Sequence, residues 1–423
     1  MVREASGSRD GSPRLLREIN DRAAIEAMLR RGALTRAELE AAIGLSKPAT
    51  VSLLARLEKA GMVRRGELRG GNRGPAAQMW SVNGDLAHVA GVSLVPDEVD
   101  VVIADITGEI RVQHRSALPS GAGAPEAFAE AVVEAAGRVG LHSDQLAKVV
   151  VGAQGGVDPA TGHLGFAPHL PGWEGFDVPG RLREALGTDV LVDNDVNLVA
   201  LVEMTTGRAR DVRDFVLVWL GDGLGAAVVI DRVLHRGATG GAGEIDWIRV
   251  PDRARQDTGV DRTGDRLGRL LSYRSINKLA RAHGIKARNA VAAVQAARAG
   301  GADGRAFLTD LARRIATGVA GVVSVLDPEL VLLTAEIAQV GGPELTDLVT
   351  AELHRLVVPR TPVEPAQCTD DAVRAGALQV ALGLAREQVF GLPVTAVGVR
   401  SVPHEEQSRP GAGVQQGTEE EAR

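Results

Sequence analysis

The chain has 423 residues, of which 44% are hydrophobic, 24% charged and 3% aromatic, with a single cysteine and a net charge of −6. That length exceeds what one hydrophobic core supports, roughly 250–300 residues, and predicts two or three domains. The lone Cys368 excludes a disulfide-stapled scaffold and a Cys-rich metal domain, and the absence of a signal-peptide core or a run of ~18–20 apolar residues predicts a cytoplasmic protein.

The charge is unevenly divided. Residues 1–80 hold 15 basic and 9 acidic side chains, a balance of +6, which leaves −12 for residues 81–423. A basic head on an acidic body is the asymmetry expected when one end of a protein meets a polyanion and the other does not.

After a flexible start over 1–14, apolar residues fall at helical spacing from Leu15 to Leu29, and Gly32 ends the run. Thr35-Arg36-Ala37-Glu38 has the form of a capping box and opens a short helix through Ile43. Gly44 supplies a tight turn, and Ser46 with Pro48 starts a third helix over 47–60. With Val51, Leu54 and Leu57 as its buried face, that helix presents Lys47, Ala49, Thr50, Ser52 and Arg56, the small polar and cationic residues that a recognition helix needs at base edges. An ordinary three-helix bundle with a solvated charged face has the same pattern, and the segment after the third helix separates the two. Residues 61–65 and 78–82 read as paired strands around the basic loop Arg69-Gly70-Gly71-Asn72-Arg73-Gly74-Pro75. A hairpin after a recognition helix is a wing. Its Arg69 or Arg73 suits a narrow minor groove, Arg64 and Arg65 suit phosphates, and Thr35, Arg36 and Ser46 stand at the flanking helix starts. Residues 15–83 are thus expected to be a winged helix-turn-helix that binds double-stranded DNA.

Beyond residue 83 short β-branched strands alternate with Ala-rich helices. Strands are expected over 89–93, 99–105, 110–114, 149–153 and 190–192, with helices over 125–139 and 178–186. The series recurs with strands over 215–220, 226–230 and 331–333, a helix-rich stretch over 264–326, and helices over 344–357 and 370–388. Two similar α/β halves imply a cleft between lobes, where a small ligand binds. Four segments could serve it: Pro168-His169-Leu170-Pro171-Gly172-Trp173, Asp193-Asn194-Asp195, Gly221-Asp222-Gly223-Leu224-Gly225, and Gly240-Gly241-Ala242-Gly243-Glu244-Ile245-Asp246-Trp247. Each by itself also reads as an ordinary turn or hairpin.

Taken in order, these segments resemble the ROK proteins (repressors, open reading frames and sugar kinases) over residues 15 to about 390. The joining of this head to this body resembles the family's transcriptional regulators of xylose, N-acetylglucosamine and glucose-uptake genes. The resemblance implies a two-lobed, actin-like body of hexokinase type, related to ribonuclease H, that forms a homodimer or homotetramer. It divides the chain into lobe 1 over 84–196, completed by a helix at about 370–390, lobe 2 over 197–369, and a disordered tail over 401–423.

The departures from the family are as informative. Kinase members carry Asp-x-Gly-Gly-Thr-Lys after the first strand, where this chain has Gly91-Val92-Ser93-Leu94-Val95-Pro96. Their second phosphate loop has Thr where Asp222 stands, and two like charges about 4 Å apart at an effective dielectric near 20 repel by ~4 kcal/mol. Their late Gly-Gly is replaced by Thr334-Ala335-Glu336. Asp195 matches the kinase base, yet phosphoryl transfer is expected to be absent. The zinc ligands are gone too, with Trp247 at the His position and neither Cys nor His over 251–275. Asn194, Asp195 and Glu244 match positions that hydrogen-bond sugar hydroxyls, while His169 and Trp247 replace the family's usual Asn and His. The expectation is a non-enzymatic, cofactor-free repressor of carbohydrate-related genes, associated with the bacterial nucleoid through operator DNA. A carbohydrate effector would lie on His169, Asn194, Asp195, Glu244 and Trp247. Two rivals stand beside it: an active sugar kinase with a DNA-binding head, and an effector-independent regulator whose body only dimerises.

Overall fold

The computed structural model describes residues 13–71, 74–165, 170–250, 265–368 and 371–393. Pro13 and Arg14 of the N-terminal segment open the first helix, whereas residues 1–12 and the tail 401–423 lie outside the described residues.

The head begins with α1 (Pro13–Arg31), followed by β1 (Leu34–Thr35), α2 (Arg36–Ile43), α3 (Lys47–Lys59), β2 (Val63–Gly71) and β3 (Gly74–Val82). The expected capping box forms, since Thr35 Oγ accepts from the Glu38 amide at 3.2 Å and the Glu38 carboxylate accepts from the Thr35 amide at 2.8 Å. Gly44 takes the left-handed conformation that ends α2. Strands order β1-β3-β2, so the wing is tied back to the turn before α2. The core is made by Ala24, Ile25 and Met28 of α1 with Leu39, Leu53, Leu54 and Leu57, closed by Trp80 and Val82. The first turns of α1 do not share in it. Leu15, Leu16 and Ile19 are about half exposed, because the bundle reaches only the later part of the helix.

The body repeats one sheet twice. In the first half β4 (His88–Val95), β5 (Glu98–Asp105), β6 (Ile110–Ala117), β7 (Leu146–Ala153) and β8 (Val190–Asn194) lie in the order β6-β5-β4-β7-β8, with α4 (Ala124–Gly137) and α5 (Val178–Leu186) on one face. After α6 (Asp195–Thr205) the second half supplies β9 (Phe215–Leu220), β10 (Leu224–Ile230) and β11 (Val233–His235). The short β12 (Arg249–Val250) and β13 (Asp265–Arg266) pair with each other. Helices α7 (Leu267–Leu271), α8 (Tyr273–Ala282), α9 (Ala290–Ala299) and α10 (Gly301–Leu326) precede β14 (Leu330–Thr334), α11 (Ala335–Leu356) and β15 (Val363–Pro365). This sheet runs β11-β10-β9-β14-β15, the first order again: an antiparallel three-strand meander followed by two parallel strands. Val149, Val150 and Val151, like Val331, Leu332 and Leu333, are fully buried because helices cover both faces of these strands.

The wing strands run through most of the expected loop, placing Arg69 in β2 and Gly74 at the start of β3; a helix start also departs from expectation. The helix predicted over 344–357 is the second half of α11, which starts at Ala335 and breaks at Gly342 (φ 55°, ψ −159°) before Pro343. Ala335 itself lies in the left-handed region at φ 68°, so strand β14 turns into α11 through a conformation that is costly for an L-residue.

Helix α12 (Ala372–Phe390) returns across the first half and packs on β4, β7 and α6. Two glycines set this contact. A Cβ on Gly376 would come within 2.3 Å of the Leu198 carbonyl oxygen, and one on Gly91 within 2.4 Å of the Leu378 amide nitrogen. The far end of α12 carries Phe390, and with Leu392 it enters the head's core beside Ala87 and Ile106. Arg386 fixes the joint by donating to the carbonyls of Ile106 (2.9 Å) and Thr107 (2.8 Å). At its near end, the buried Glu203 of α6 accepts from the amides of Gln367 (2.6 Å), Cys368 (2.7 Å) and Arg208 (2.7 Å), pinning the segment before α12. Cys368 belongs to that clamp, its thiol pushed up by burial and by Glu203.

Candidate functional site

In the head, Ser46, Lys47, Ala49, Ser52 and Arg56 form the exposed face of α3. Thr50 does not. It is completely buried, its hydroxyl donating to the Ser46 carbonyl at 3.1 Å, and Val51 is 48% exposed instead. The buried stripe is Thr50, Leu53, Leu54 and Leu57, spaced i, i+3, i+4 and i+7, and a threonine joins it cheaply because its hydroxyl is satisfied within the helix. Thr50 therefore has no access to base edges. Ser46 holds the N-cap position without a side-chain bond.

Each predicted arginine that the structure describes stands beside a carboxylate of the head or its linker. Arg56 reaches Asp21 (2.5 Å), Arg65 makes a two-point contact with Glu58 (2.8 and 3.0 Å), Arg69 meets Glu38 (2.7 Å), Arg36 meets Glu40 (3.1 Å) and Arg64 meets Asp85 (3.8 Å). Arg65 also lies over the Trp80 ring at 5.1 Å. The Glu38 carboxyl is held below its ordinary range chiefly by the Thr35 amide, with Arg69 adding to it. Exposed pairs of this kind contribute only about 0–1 kcal/mol each, so they hold the wing without competing seriously with phosphates. Arg73 lies outside the described residues.

The body holds a cavity of about 250 Å³ between its halves. Asn194, Asp195 and Glu244 all line it, with Gln154, Asp246 and Arg266. The junction of β8 and α6 explains the geometry. Asn194 Oδ1 caps α6 by accepting from the amides of Val196 (2.9 Å) and Asn197 (3.2 Å), which fixes the amide and leaves its NH₂ for a ligand. Asp193 turns away into a buried ion pair with Arg236 (2.6 Å) and accepts from Asn197 Nδ2 (3.1 Å). Asp195 is raised from an ordinary 3.8 to about 7, first by removal from water and then by the negative charge of Glu244. Glu244 is raised by burial and by Asp246. The two carboxyls thus offer both a donor and acceptors near neutral pH.

Trp247 is not among the lining residues. Its ring is 45% exposed and carries the Arg266 guanidinium at 4.0 Å, so it neither stacks on a ligand in the cavity nor fills the cleft. It positions Arg266, which lies 3.5 Å from Asp246. Nothing in the local sequence marks Arg266, because only the pairing of Arg249 with Arg266 brings it to the cleft from beyond a stretch without Cys or His. His169 lies outside the described residues, as do 251–264. Among the described residues no three His, Cys, Asp or Glu side chains gather as a metal site.

Two turns occupy the places where phosphates would be held in the resembled kinases. Pro96 and Asp97 close β4 onto β5 in a tight turn, with Asp97 at φ 64° and Val95 paired to Glu98. The β9–β10 turn Gly221-Asp222-Gly223 lines the cavity, and Glu336 approaches it while accepting from the Tyr273 hydroxyl at 3.1 Å.

Residues 89–383 match the ROK family. The chain belongs to the ROK family. Residues 20–74 match the MarR family, so a MarR-like winged helix precedes the ROK body. The chain is 25% identical to a xylose repressor from Caldicellulosiruptor bescii over 346 residues, 76% of this chain and 84% of that one. It is 31% identical to a glucokinase from Streptomyces coelicolor over 165 residues, 38% of this chain and 50% of that one. A crystal structure of a ROK family transcriptional regulator, described as a homologue of the Escherichia coli MLC protein, superposes with a TM-score of 0.66 at 18% identity. That match covers 87% of this chain and 96% of the other.

Proposed function

We propose that this ROK protein is a transcriptional repressor of carbohydrate-related genes, whose cleft binds a sugar and transfers no phosphoryl group. The observation that carries the reading is the route from cleft to head. Asn194 and Asp195 open α6, α6 is locked to α12 through Gly376, and α12 ends in Phe390 within the head's core. A ligand that moves α6 moves the base of the DNA-binding domain, and its effect equals its differential affinity for the two arrangements.

In this reading Lys47, Ala49, Ser52 and Arg56 face the major groove. Thr35, Arg36 and Ser46 flank it, Arg64 and Arg65 hold phosphates, and Arg69 and Arg73 serve the minor groove. A two-fold dimer reads a pseudo-palindrome. The sugar hydroxyls take Asn194, Asp195 and Glu244, with Arg266 as a further donor. The loss of the kinase motif over 91–96 and the carboxylates of Asp222 and Glu336 support the absence of phosphoryl transfer.

The test is fluorescence anisotropy of labelled DNA from upstream of the protein's own gene. Affinity is expected to fall steeply with salt, to drop at least tenfold in Lys47→Glu, and to change when pentoses or hexoses are added. Unchanged binding in Lys47→Glu defeats the recognition-helix assignment, and sugar-dependent ATP turnover abolished by Asp195→Asn establishes the kinase instead.

A further inference from the structure

The exposed side of α3 carries a side chain that a merely solvated surface does not require. Val51 is 48% exposed, and among the described residues of α3 it is the one large apolar side chain outside the buried stripe. At 3.6 residues per turn, Lys47, Val51 and Ala55 follow one another along one face of the helix, with Ser52 beside Val51, and all four are exposed. The other exposed large apolar side chains of the head stand elsewhere, Leu15, Leu16 and Ile19 on α1 and Leu68 on the wing.

The surroundings make Val51 part of the apolar floor of a charged groove. Val51 and Ala55 share that groove with Thr35 and Arg36 at the start of α2 and with Arg65 and Trp80 of the wing. Glu58 also borders it, and its carboxylate is taken up by the two-point contact with Arg65. Guanidinium groups on two banks with methyl groups between them suit a duplex, whose phosphates flank the base edges.

The methyl groups then restrict which base lies on the floor. In the major groove the apolar group among the base edges is the C5 methyl of thymine. Valine has no donor or acceptor, so against a purine it would cover acceptor atoms and leave them unpaired, and against cytosine it would meet a bare C5–H. Its β-branch holds one preferred rotamer in a helix, so the two γ-methyls are placed before the DNA arrives.

We propose that Val51 reads a thymine: its γ-methyls pack on the C5 methyl of one thymine in each operator half-site, while Lys47, one turn earlier on the same face, donates to an acceptor beside it. This rests on the reading of the head as a DNA-binding domain and assigns one base of the operator to one side chain.

The test removes the thymine methyl and nothing else. Duplexes selected by the full-length protein from a randomised library supply the probe, and each thymine in turn is replaced by deoxyuridine, which pairs as thymine does and lacks the methyl. At one thymine per half-site, uracil is expected to weaken binding by the parent protein about three- to tenfold, the scale of one buried methyl group. Val51→Ala should bind the thymine duplex more weakly by a similar factor and distinguish uracil from thymine at that position by less than about twofold. Its melting temperature should match the parent's, because the side chain is exposed. Specific binding that Lys47→Glu abolishes, with uracil tolerated at every position, overturns this inference and leaves the DNA-binding reading standing. An equal uracil effect in the parent and in Val51→Ala places the methyl contact on another residue and overturns it as well. A changed oligomeric state in Val51→Ala with unchanged sequence preference overturns it by assigning the valine to a contact between copies of the chain. No sequence selected from the library overturns the DNA-binding reading and the thymine with it.

Discussion

The two halves of the body share one sheet topology, and they differ most at the same place in it. In the first half the opening strands are joined by Pro96-Asp97, a two-residue turn that is exposed and does not line the cavity. In the second half the equivalent strands are joined by Gly221-Asp222-Gly223, a three-residue turn that borders the cavity and carries a charge. The same duplicated scaffold therefore brings the turn of one half to the cavity and keeps that of the other away from it. The halves differ also in what they carry: α12 and hence the head belong to the first, while the second supplies Glu244, Asp246 and Arg266 to the cleft. Division of labour between two copies of a sheet teaches that a fold's ligand chemistry lies in its turns, and its coupling in what packs on its faces.

Four experiments press on that contrast. The largest effect is expected at the joint, where Phe390→Ala removes an aromatic side chain shared by α12 and the head's core. A loss of about 3–5 kcal/mol is expected for the head's packing, together with loss of effector response in DNA binding. Separate melting of head and body by calorimetry would confirm it, and a single unchanged transition with intact response would show that the first half does not carry the signal. Next, the raised Asp195 carboxyl makes stability depend on pH. Its contribution is full below about pH 4, where the group is protonated both folded and unfolded, and is lost as pH rises through about 7. Asp195→Asn removes that loss, so the variant should gain on the order of 1–3 kcal/mol over the parent at pH 8 and little at pH 4, read from urea midpoints. Equal gains at both pH values would mean that burial, not ionisation, sets the difference. A smaller effect is expected at Ala335→Gly. Relief of the left-handed strain, about 1–2 kcal/mol, is offset by the roughly 0.5–1 kcal/mol entropy of glycine, so the variant should be neutral to slightly more stable in thermal melts. Destabilisation by more than about 1 kcal/mol would show that the Ala335 side chain contributes packing that outweighs its strain. The smallest is Asp222→Thr. It puts a neutral residue in the β9–β10 turn, yet no ATP turnover is expected while residues 91–96 lack the kinase motif. Turnover in that variant would make the second half alone decisive.

Much of this was legible in the residues because it depends on neighbours in the chain. The capping box at Thr35 and Glu38, the left-handed Gly44 and the wing strands all formed where local chemistry asked for them. Periodicity misassigned Thr50 and Val51, since hydrophobicity ranks valine above threonine while the helix phase, fixed by Leu53, Leu54 and Leu57, turns position 50 inward. The cleft was half readable. Asn194, Asp195 and Glu244 are marked by their segments, whereas Arg266 arrives through a two-residue strand pair and Trp247 is turned outward beneath it.

By itself the sequence determined a basic winged helix on a two-lobed acidic body, the cleft's polar groups and the departures from the kinase pattern at 91–96, 222 and 334–336. Those properties are set by residue type and spacing within short segments. Tertiary structure alone decided that α12 ends inside the head, that Arg266 joins Asp195 in one cavity, and that Ala335 holds a backbone made for glycine. Each of these depends on surfaces brought together from distant parts of the chain, where close packing and not local propensity fixes the neighbours.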